Sequence, residues 1–361
     1  MATDEQNWRD WAVPPGEILL EVLDERQMSQ SELARRMGRP VKTINEIIHA
    51  KAALTTDTAI QLELALGLNA GLWNTLETNY RAHLSWVRSC KELEAEKTWV
   101  EAFPVNDLVK VGLIERPRGV ADKTATLLRF FGVSSTEAWE SQWTEVAAAF
   151  RTSPSHASSF PAVAAWLRWG ELLAGEHETP PFDASAFRKA LDKIKTLTRQ
   201  DPGAAIQQAK ELGREAGVVV VVTPEFTKTS LSGAARRLSG GQALIQLSAR
   251  HKSDDQLWFS FFHEAGHLLE DPRIDRVDPA DLADRVNDDA EVAADRFARD
   301  VLINLTDYKA FVASGDFSAG SVRALAKAQG VSPGIVVGRL QRDDHLAWSQ
   351  LNNLKKKVRL G

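Results

Sequence analysis

The sequence has little of what an exported or membrane-inserted protein needs. Its 361 residues include one cysteine, Cys90, which excludes an intramolecular disulfide framework and a cysteine-rich zinc site. The first residues, Met-Ala-Thr-Asp-Glu-Gln-Asn, have neither the basic end nor the apolar core of a signal peptide. No uninterrupted apolar run approaches the length that spans a bilayer. We therefore expect a cytoplasmic protein that has no membrane partner.

A strong excess of charge of one sign is also missing. The net charge of -5 at pH 7 is mild for this length, which argues against a general polyanion binder. Fixed-period repeats and long low-complexity segments are absent as well, which argues against solenoid and disordered classes. A chain of 361 residues is long enough for two or three domains with a sizeable core.

The most informative stretch is the pattern His263-Glu264-x-x-His267, which lies in an apolar segment. On a helix, positions i and i+4 share one face, so both imidazoles can reach a single metal ion. Glu264 can then take a proton from a water molecule whose pKa zinc lowers to about 7. The alternative is a core helix that happens to carry two histidines, but burying unpaired imidazoles is costly. The pattern therefore favours a zinc site.

Two histidines leave a catalytic zinc site incomplete, since such a site usually has three protein ligands. The pattern has no H-x-x-G-x-x-H continuation, which argues against a third histidine. Glu291 adjoins the apolar face of a later helical stretch and is our preferred third ligand. Asp288 and Asp289 compete for this role but precede the apolar face. Asp295, one turn after Glu291, is placed to orient a ligand histidine.

Residues 14–80 have the pattern of a compact helical bundle. A short helix over Gln30–Met37, a turn at Gly38-Arg39-Pro40 and a second helix over Val41–His49 form a helix-turn-helix signature. Ser29 is the expected N-cap of the first of these helices, and supporting helices are expected over Thr56–Leu66 and Leu72–Tyr80. The bundle therefore has the local features of a DNA-binding domain.

Charge within this bundle tests that interpretation. Residues 1–80 carry seven Lys/Arg against twelve Asp/Glu, whereas residues 29–55 carry five Lys/Arg against two Glu. A focal basic patch on an acidic domain is what contact with phosphates needs. We expect a dimer on operator DNA, and the candidate DNA contacts are Arg39, Lys42, Thr43, Asn45 and Lys51. The alternative is a helical protein-interaction module with an ordinary solvated face.

The rest of the chain is expected to form a helical connector and then an α+β unit. Six tryptophans of the connector, expected in an aromatic core rather than a cofactor cage, are Trp86, Trp99, Trp139, Trp143, Trp166 and Trp169. Strands are predicted over Val218–Val222, Gly233–Leu238 and Ala243–Leu247, and an edge strand of this sheet can hold an extended peptide. Candidates for stabilising an oxyanion are Arg250, His251, Lys252 and Tyr308.

The predicted fold class is mainly α with a small β-sheet, in a multidomain chain. The expected units are a helix-turn-helix domain at 1–80, a helical connector at 81–200, a zincin-like metallopeptidase domain at 201–312 and a helical extension at 313–361.

Two stretches resemble known families. The run "PPGEILLEVLDERQMSQSELARRMGRPVKTINEIIHAKAALTTDTAIQLELALG", within residues 14–80, resembles the XRE-type helix-turn-helix of HigA-like antitoxins. Residues 242–302, with "ALIQLSARHKSDDQLWFSFFHEAGHLLE" and "EVAADRFARDVL", resemble the ImmA/IrrE metallopeptidases. Larger HigA-like proteins combine both units, so the resemblance to such proteins covers most of this chain.

The second resemblance implies a zinc peptidase that cuts helix-turn-helix repressors. It implies that His263, His267 and Glu291 bind the metal and that Glu264 is the catalytic glutamate. The sequence departs from the family at Asp295, where Asn is common, and at Asn304, where a Pro often ends the L-L-M-P run. Neither departure removes a catalytic group.

Two functions follow from the sequence. The first is a zinc endopeptidase with a DNA-binding domain, which cleaves a regulatory protein. The second is a DNA-binding repressor or antitoxin whose peptidase-like half senses a signal or binds a toxin without cutting. Glu264 favours the first, because a structural zinc has no use for this residue. Cleavage of a separate repressor is preferred over self-cleavage at the loops "RTSPSHASS" and "GEHETPPFD".

Overall fold

The computed structural model divides the chain into two compact units. The structure describes residues 13–151, 159–227, 229, 231–250, 252–270, 275–279 and 289–358. For 144–151 and 275–279 it describes the backbone but not the side chains. The first unit comprises residues up to 97 together with 118–124, and the second comprises 98–117 and the residues from 125 onward. Within the described residues, no helix combines the length and the apolarity needed to cross a membrane.

The first unit is a helical bundle. Its helices are α1 (Pro15–Glu25), α2 (Gln30–Met37), α3 (Val41–Ile48), α4 (Thr56–Leu66) and α5 (Ala70–Ala95). Helix α2 begins where the Ser29 side chain accepts a hydrogen bond from the Glu32 amide at 3.1 Å, and it ends at Gly38, whose φ is +66°. Ile44 of α3 and Trp73 of α5 are fully buried in the core that joins the helices. The predicted helix-turn-helix arrangement is confirmed.

Helix α5 is longer than the predicted helix at Leu72–Tyr80. It runs through the expected domain boundary at residue 80, because neither Pro nor Gly interrupts residues 72–95. Trp86 lies on this helix and is 41% exposed, so Trp86 does not belong to the aromatic core predicted for it. The first compact unit extends to residue 97, close to the end of α5, and also includes 118–124, while the domain bounds expected from the sequence stay a prediction.

In the described part of the chain, seven helices follow α5 in the sequence before the first strand. They are α6 (Lys97–Glu101), α7 (Val105–Lys110), α8 (Gly119–Phe131), α9 (Thr136–Arg151), α10 (Phe160–Gly175), α11 (Ala184–Leu197) and α12 (Pro202–Glu215). An aromatic core does form here, since Trp139, Trp143 and Trp166 are buried in one cluster. Trp99 and Trp169 pack against that cluster. The core is continuous with the sheet, because the same cluster includes residues of the second strand.

The second unit contains a four-stranded mixed sheet. Its strands are β1 (Val218–Thr223), β2 (Leu231–Arg237), β3 (Ala243–Ser248) and β4 (Asp275–Pro279), in the order β1-β3-β2-β4. Strand β1 is parallel to β3, whereas β2 is antiparallel to both β3 and β4. The sequence predicts the first three strands, but β4 (Asp-Arg-Val-Asp-Pro) lacks apolar alternation and was not predicted.

The helix that follows β3 is the centre of the second unit. The remaining helices are α13 (Asp254–Glu270), α14 (Asp289–Leu302), α15 (Leu305–Ser314), α16 (Ala319–Gln329) and α17 (Pro333–Arg342). Leu257, Trp258 and Phe261 of α13 are fully buried in a core shared with α11, α12 and α14–α17. The predicted fold class, mainly α with a small β-sheet in a multidomain chain, is confirmed.

The first turn of α13 is fixed by parts of the chain that follow much later. Asp254 accepts a hydrogen bond from the Ser332 hydroxyl at 2.5 Å and another from the Lys356 amide at 2.9 Å. Asp255 forms an ion pair with the Lys355 ammonium at 2.7 Å. These contacts hold the amino end of α13 in place, and with it the orientation of the side chains further along the helix.

Candidate metal centre

Helix α13 carries two histidines whose side chains converge. The Nε2 atoms of His263 and His267 lie 3.0 Å apart, and their ring centroids are 4.7 Å apart. Both residues are essentially inaccessible to solvent, with exposed fractions of 0% and 1%. The spacing of four positions places both rings on one face of the helix. Two imidazole nitrogens therefore face a common point inside the protein.

The carboxylate of Glu291, in the first turn of α14, completes a group of three. Its oxygens lie 3.3 Å from Nε2 of His263 and 3.3 Å from Nε2 of His267. One ligand atom from each of the three residues lies within 4.8 Å of the others. Asp289 lies on the same helix but is not part of this group, and Asp288 lies outside the described residues.

Small residues explain why α14 comes so close to α13. A Cβ atom added to Gly266 would lie 3.2 Å from the Cα atom of Ala294 and 3.1 Å from the Phe297 ring. Such distances are tighter than ordinary packing, so the absence of a side chain at position 266 helps α14 to approach this closely. The result is that Glu291, one turn before Ala294, reaches the histidine pair.

Asp295 lies behind the histidine pair. Its Oδ1 atom is 2.9 Å from Nδ1 of His263, and its Oδ2 atom is 3.6 Å from the Arg342 guanidinium. Arg299 also donates a hydrogen bond to the backbone oxygen of Asp295 at 3.2 Å. When Nδ1 of an imidazole donates its proton to a carboxylate, the lone pair is left on Nε2. The contact therefore selects the tautomer of His263 that a metal ion needs.

Glu264 follows His263 in α13 and is completely buried. Its side chain lies against β2 at Gly233, where an added Cβ atom would overlap the carboxylate and come within 2.9 Å of the Cγ and Cδ atoms. Gly233 therefore leaves the space that the Glu264 carboxylate occupies. The sequence does not reveal this role, because the run of small residues over 232–235 is typical of a close approach but does not say which side chain approaches.

The oxyanion candidates are in different environments. The Tyr308 hydroxyl donates a hydrogen bond to Asp343 at 2.8 Å. Burial, together with the Asp343 carboxylate, raises the pKa of Tyr308 above its ordinary value. The Arg250 guanidinium lies 3.6 Å from the Glu225 carboxylate, while Lys252 is exposed. His251 lies outside the described residues.

The candidate DNA contacts lie on and around α3. Lys42 is exposed, with 84% of its side chain accessible, and its ammonium lies 3.7 Å from Glu46. Thr43 is half-buried on the same turn, and Lys51 is exposed just beyond the helix. Two contacts link α3 and its turn to other helices: Asn45 donates to Gln30 of α2 at 3.3 Å, and Arg39 donates to Gln61 of α4 at 2.5 Å. Lys42 and Lys51 are thus exposed cations on and just beyond α3.

The fold and the three-residue cluster define a protein that joins a helix-turn-helix unit to a peptidase-like unit. Comparison with known proteins agrees. The family model described as helix-turn-helix matches residues 19–73. The model of a peptidase family, described as the IrrE N-terminal-like domain, matches residues 214–341 and so includes β1 to α17.

Individual relatives match the amino-terminal quarter of the chain. An uncharacterised HTH-type transcriptional regulator of Escherichia coli K12, YddM, is 36% identical over 84 residues, which are 23% of this chain and 79% of YddM. A solved HigA-family antidote protein from Coxiella burnetii is 29% identical, with a TM-score of 0.22, over 24% of this chain and 94% of its own. The Pseudomonas aeruginosa antitoxin HigA, solved with the higBA promoter, is 30% identical, with a TM-score of 0.23, over 24% of this chain and 95% of its own. The chain belongs to the helix-turn-helix family of transcriptional regulators and carries, in addition, an IrrE N-terminal-like domain.

Proposed function

We propose that this protein is a zinc-dependent endopeptidase coupled to a DNA-binding domain, and that it cleaves a regulatory protein to control transcription. The observation that carries the proposal is the group of His263, His267 and Glu291, in which both histidines are buried, with the buried Glu264 next to His263 on the same helix. We assign the first three residues to the metal and Glu264 to catalysis. Arg39, Lys42, Thr43, Asn45 and Lys51 are assigned to DNA.

The donor set of this group fits a zinc ion. Two imidazole nitrogens and one carboxylate are ligands that zinc commonly takes in catalytic sites, where a fourth position stays open. The contact between Asp295 and Nδ1 of His263 supports the tautomer whose Nε2 lone pair can bind a metal. A cation would also offset the cost of burying these nitrogens and the carboxylate next to one another.

The chemistry divides between the ion and the protein. A zinc ion, when bound, supplies the Lewis acidity that polarises a peptide carbonyl and makes water a better nucleophile at neutral pH. Glu264 accepts the proton that the attacking water loses, and it delivers a proton to the amine when the peptide C–N bond breaks. Burial of the Glu264 carboxylate keeps bulk water away from this proton. Asp295 holds the His263 ring in place throughout.

A second candidate function rests on the amino-terminal unit alone. The 36% identity with an HTH-type transcriptional regulator favours a DNA-binding repressor or antitoxin. In that case the peptidase-like half would sense a signal or bind a toxin partner without cutting. Both candidates share operator DNA as a partner, bound by a homodimer through two half-sites. They differ in whether Glu264 performs a reaction.

The substitution Glu264→Gln separates the two functions. We expect this variant to retain zinc and DNA binding but to lose cleavage by orders of magnitude, because the amide cannot accept the proton. Wild type and variant are incubated with repressors encoded near their operon, and products are identified by mass. Glu270→Gln, a change of the same kind at an exposed position of α13, is the matched control. Identical products from wild type and Glu264→Gln would leave the repressor or antitoxin function.

The masses of the cleavage products also show whether the substrate is a separate repressor or this chain itself. We favour a separate helix-turn-helix repressor as the substrate, with the DNA-binding unit providing localisation at the operator. Self-cleavage would instead give fragments that end within 151–159 or 175–183. Residues 152–158 lie outside the described residues, whereas His177 and Glu178 are exposed. Fragments of the added repressor, with this chain intact, are the expected outcome.

A further inference from the structure

The second unit contains a cavity of about 400 Å³ next to the candidate metal centre. The volume is in the range of small-molecule sites in proteins. The cavity is formed by the amino half of α13, the start of β2, the end of α14 and the helix α17. None of the three metal-centre residues is among the described residues that line it. The cavity is thus a separate space that shares α13 and α14 with the metal centre.

The described lining of this cavity is rich in positive charge. Its cations are Arg250, Lys252, Arg299, Arg339 and Arg342. The single acid in the lining, Asp255, forms its ion pair with Lys355 at 2.7 Å. Other carboxylates reach three of the arginines from outside: Glu225 at 3.6 Å from Arg250, Asp343 at 2.6 Å from Arg339 and Asp295 at 3.6 Å from Arg342. Among the described residues, these four acids stand against the five lining cations and Lys355, which leaves a positive excess of two and favours an anionic occupant.

Besides the uncharged polar residues Ser232, Gln256 and Ser260, the cavity has an apolar and partly aromatic wall. It includes Leu302, Ile303 and Ile335, together with the rings of Phe259 and Trp348. Trp348 is 61% exposed, so the cavity opens to solvent beside this ring. Apolar walls with a few cationic groups are suited to a molecule that has an apolar body and a charged end. An inorganic anion would leave most of this wall unused.

We propose that the cavity binds a small organic anion, namely a carboxylate or phosphate carried on an aromatic or apolar body. Planar guanidinium groups such as those of Arg299 and Arg342 match the two oxygens of a carboxylate or phosphate. The exposed Trp348 ring provides a surface against which a flat body can pack, whereas the Arg342 guanidinium lies over the Phe259 ring, 4.3 Å from its centroid. This site goes beyond the proposed peptidase function and does not depend on it.

The cavity is connected to the metal centre through direct contacts. Arg342 lines the cavity and lies 3.6 Å from Asp295, whose other oxygen is 2.9 Å from Nδ1 of His263. The Phe259 ring, also in the lining, has its centroid 6.1 Å from that of His263. An anion that attracts Arg342 therefore acts on the residue that orients His263. Occupancy of the cavity has a physical route to the metal centre.

Calorimetric titration of the full-length, zinc-loaded protein with phenyl phosphate tests the proposal. Phenol lacks the negative charge of phenyl phosphate, and inorganic phosphate lacks its aromatic ring, so these two compounds serve as matched control ligands. We expect saturable binding of phenyl phosphate that is at least about tenfold tighter than either, because charge-assisted hydrogen bonds and apolar burial both contribute. Arg299→Gln should weaken this binding at least about tenfold. Arg296→Gln, an exposed position of the same helix outside the lining, should leave the affinity unchanged.

Several results would overturn the proposal. One is an absence of saturable binding. Another is an affinity for phenyl phosphate that Arg299→Gln leaves unchanged, which is expected if the probe binds the metal instead. A third is a loss of affinity in Arg296→Gln equal to that in Arg299→Gln. Binding of N-acetyl-glutamyl amide without binding of phenyl phosphate would assign the cavity to a peptide side chain instead. Should Arg299→Gln fail to fold, Arg250→Gln replaces it, since 52% of that side chain is exposed. Glu264→Gln should bind the probe like wild type, so failure of the peptidase function leaves this result unaffected.

Discussion

At the scale of single residues, Gly233 sets the room available to the catalytic candidate Glu264. Substituting alanine places a methyl group where the Glu264 carboxylate lies, because the Cβ atom overlaps that buried side chain. We expect Gly233→Ala to reduce cleavage by about 100-fold, the scale of effect that an ångström of misplacement has. We also expect the overpacking to cost about 1–3 kcal/mol of stability. Cleavage rate and the urea unfolding midpoint measure the two effects.

The control for that substitution is Gly240→Ala. A Cβ atom at Gly240 meets nothing within 4 Å, so this variant should match wild type in both measurements. If Gly233→Ala cleaves as fast as wild type, the close approach of β2 to Glu264 has no part in the reaction.

The residues of the site differ in how far sequence could identify them. The shared face of His263 and His267 is a local property of a helix, so a spacing of four suffices to predict it. The proximity of Gly233 to Glu264 depends on how a strand packs on a helix 31 positions later, and no local pattern encodes that distance. The approach of Glu291 likewise rests on the close contact between Gly266 and Ala294.

At the scale of elements, helix α13 begins with a buried carboxyl group. Burial raises the pKa of Asp254, although hydrogen bonds from Ser332 and Lys356 oppose the shift. The folded protein therefore holds this proton more tightly than the unfolded chain, so the group favours folding at acid pH. That contribution is lost as the pH rises from about 4 through the folded pKa. Relative to Asp254→Asn, wild type should thus lose stability between pH 4 and pH 7.

Urea unfolding midpoints of both proteins across this pH range provide the measurement. Asp300→Asn, at an exposed position of α14, controls for the general effect of removing a negative charge. A difference between wild type and Asp254→Asn that stays constant with pH would contradict the expected role of burial.

The elements themselves were predicted where local chemistry decides them. Helices α2 and α4 have the predicted bounds, and α3 differs only by its last residue, because Ser29 and Thr55 cap the helices that follow them. Strand β4 was not predicted, since its polar sequence forms a strand only by pairing with β2. An edge strand that forms in this way cannot be predicted from its own sequence alone.

At the scale of the whole molecule, the chain is acidic but its proposed DNA-binding surface is basic. With a net charge of -5 for the whole chain, the proposed contact with phosphates relies on the local patch around α3. We expect Lys42→Ala to weaken operator binding about equally across sequences and to reduce the salt slope by about one, as loss of one phosphate contact does. Fluorescence anisotropy with promoter DNA at several salt concentrations measures both quantities.

Lys91→Ala removes the same charge from an exposed position of α5 and is the matched control. Binding that is insensitive to salt, or that both substitutions weaken equally, would assign DNA recognition to some other part of the chain.

The contacts at the start of α13 also bear on the order in which the protein assembles. Asp254 is joined to Ser332 and Lys356 across 78 and 102 positions of sequence, whereas the core of the first unit forms entirely within α1–α5. Closing such long loops costs entropy and slows folding, and domains fold from the amino terminus during synthesis. Pulsed hydrogen exchange during refolding would resolve this order. With the proposed assignments, each new molecule can recognise an operator before it can cut, so regulation by occupancy precedes regulation by proteolysis within the life of a single chain.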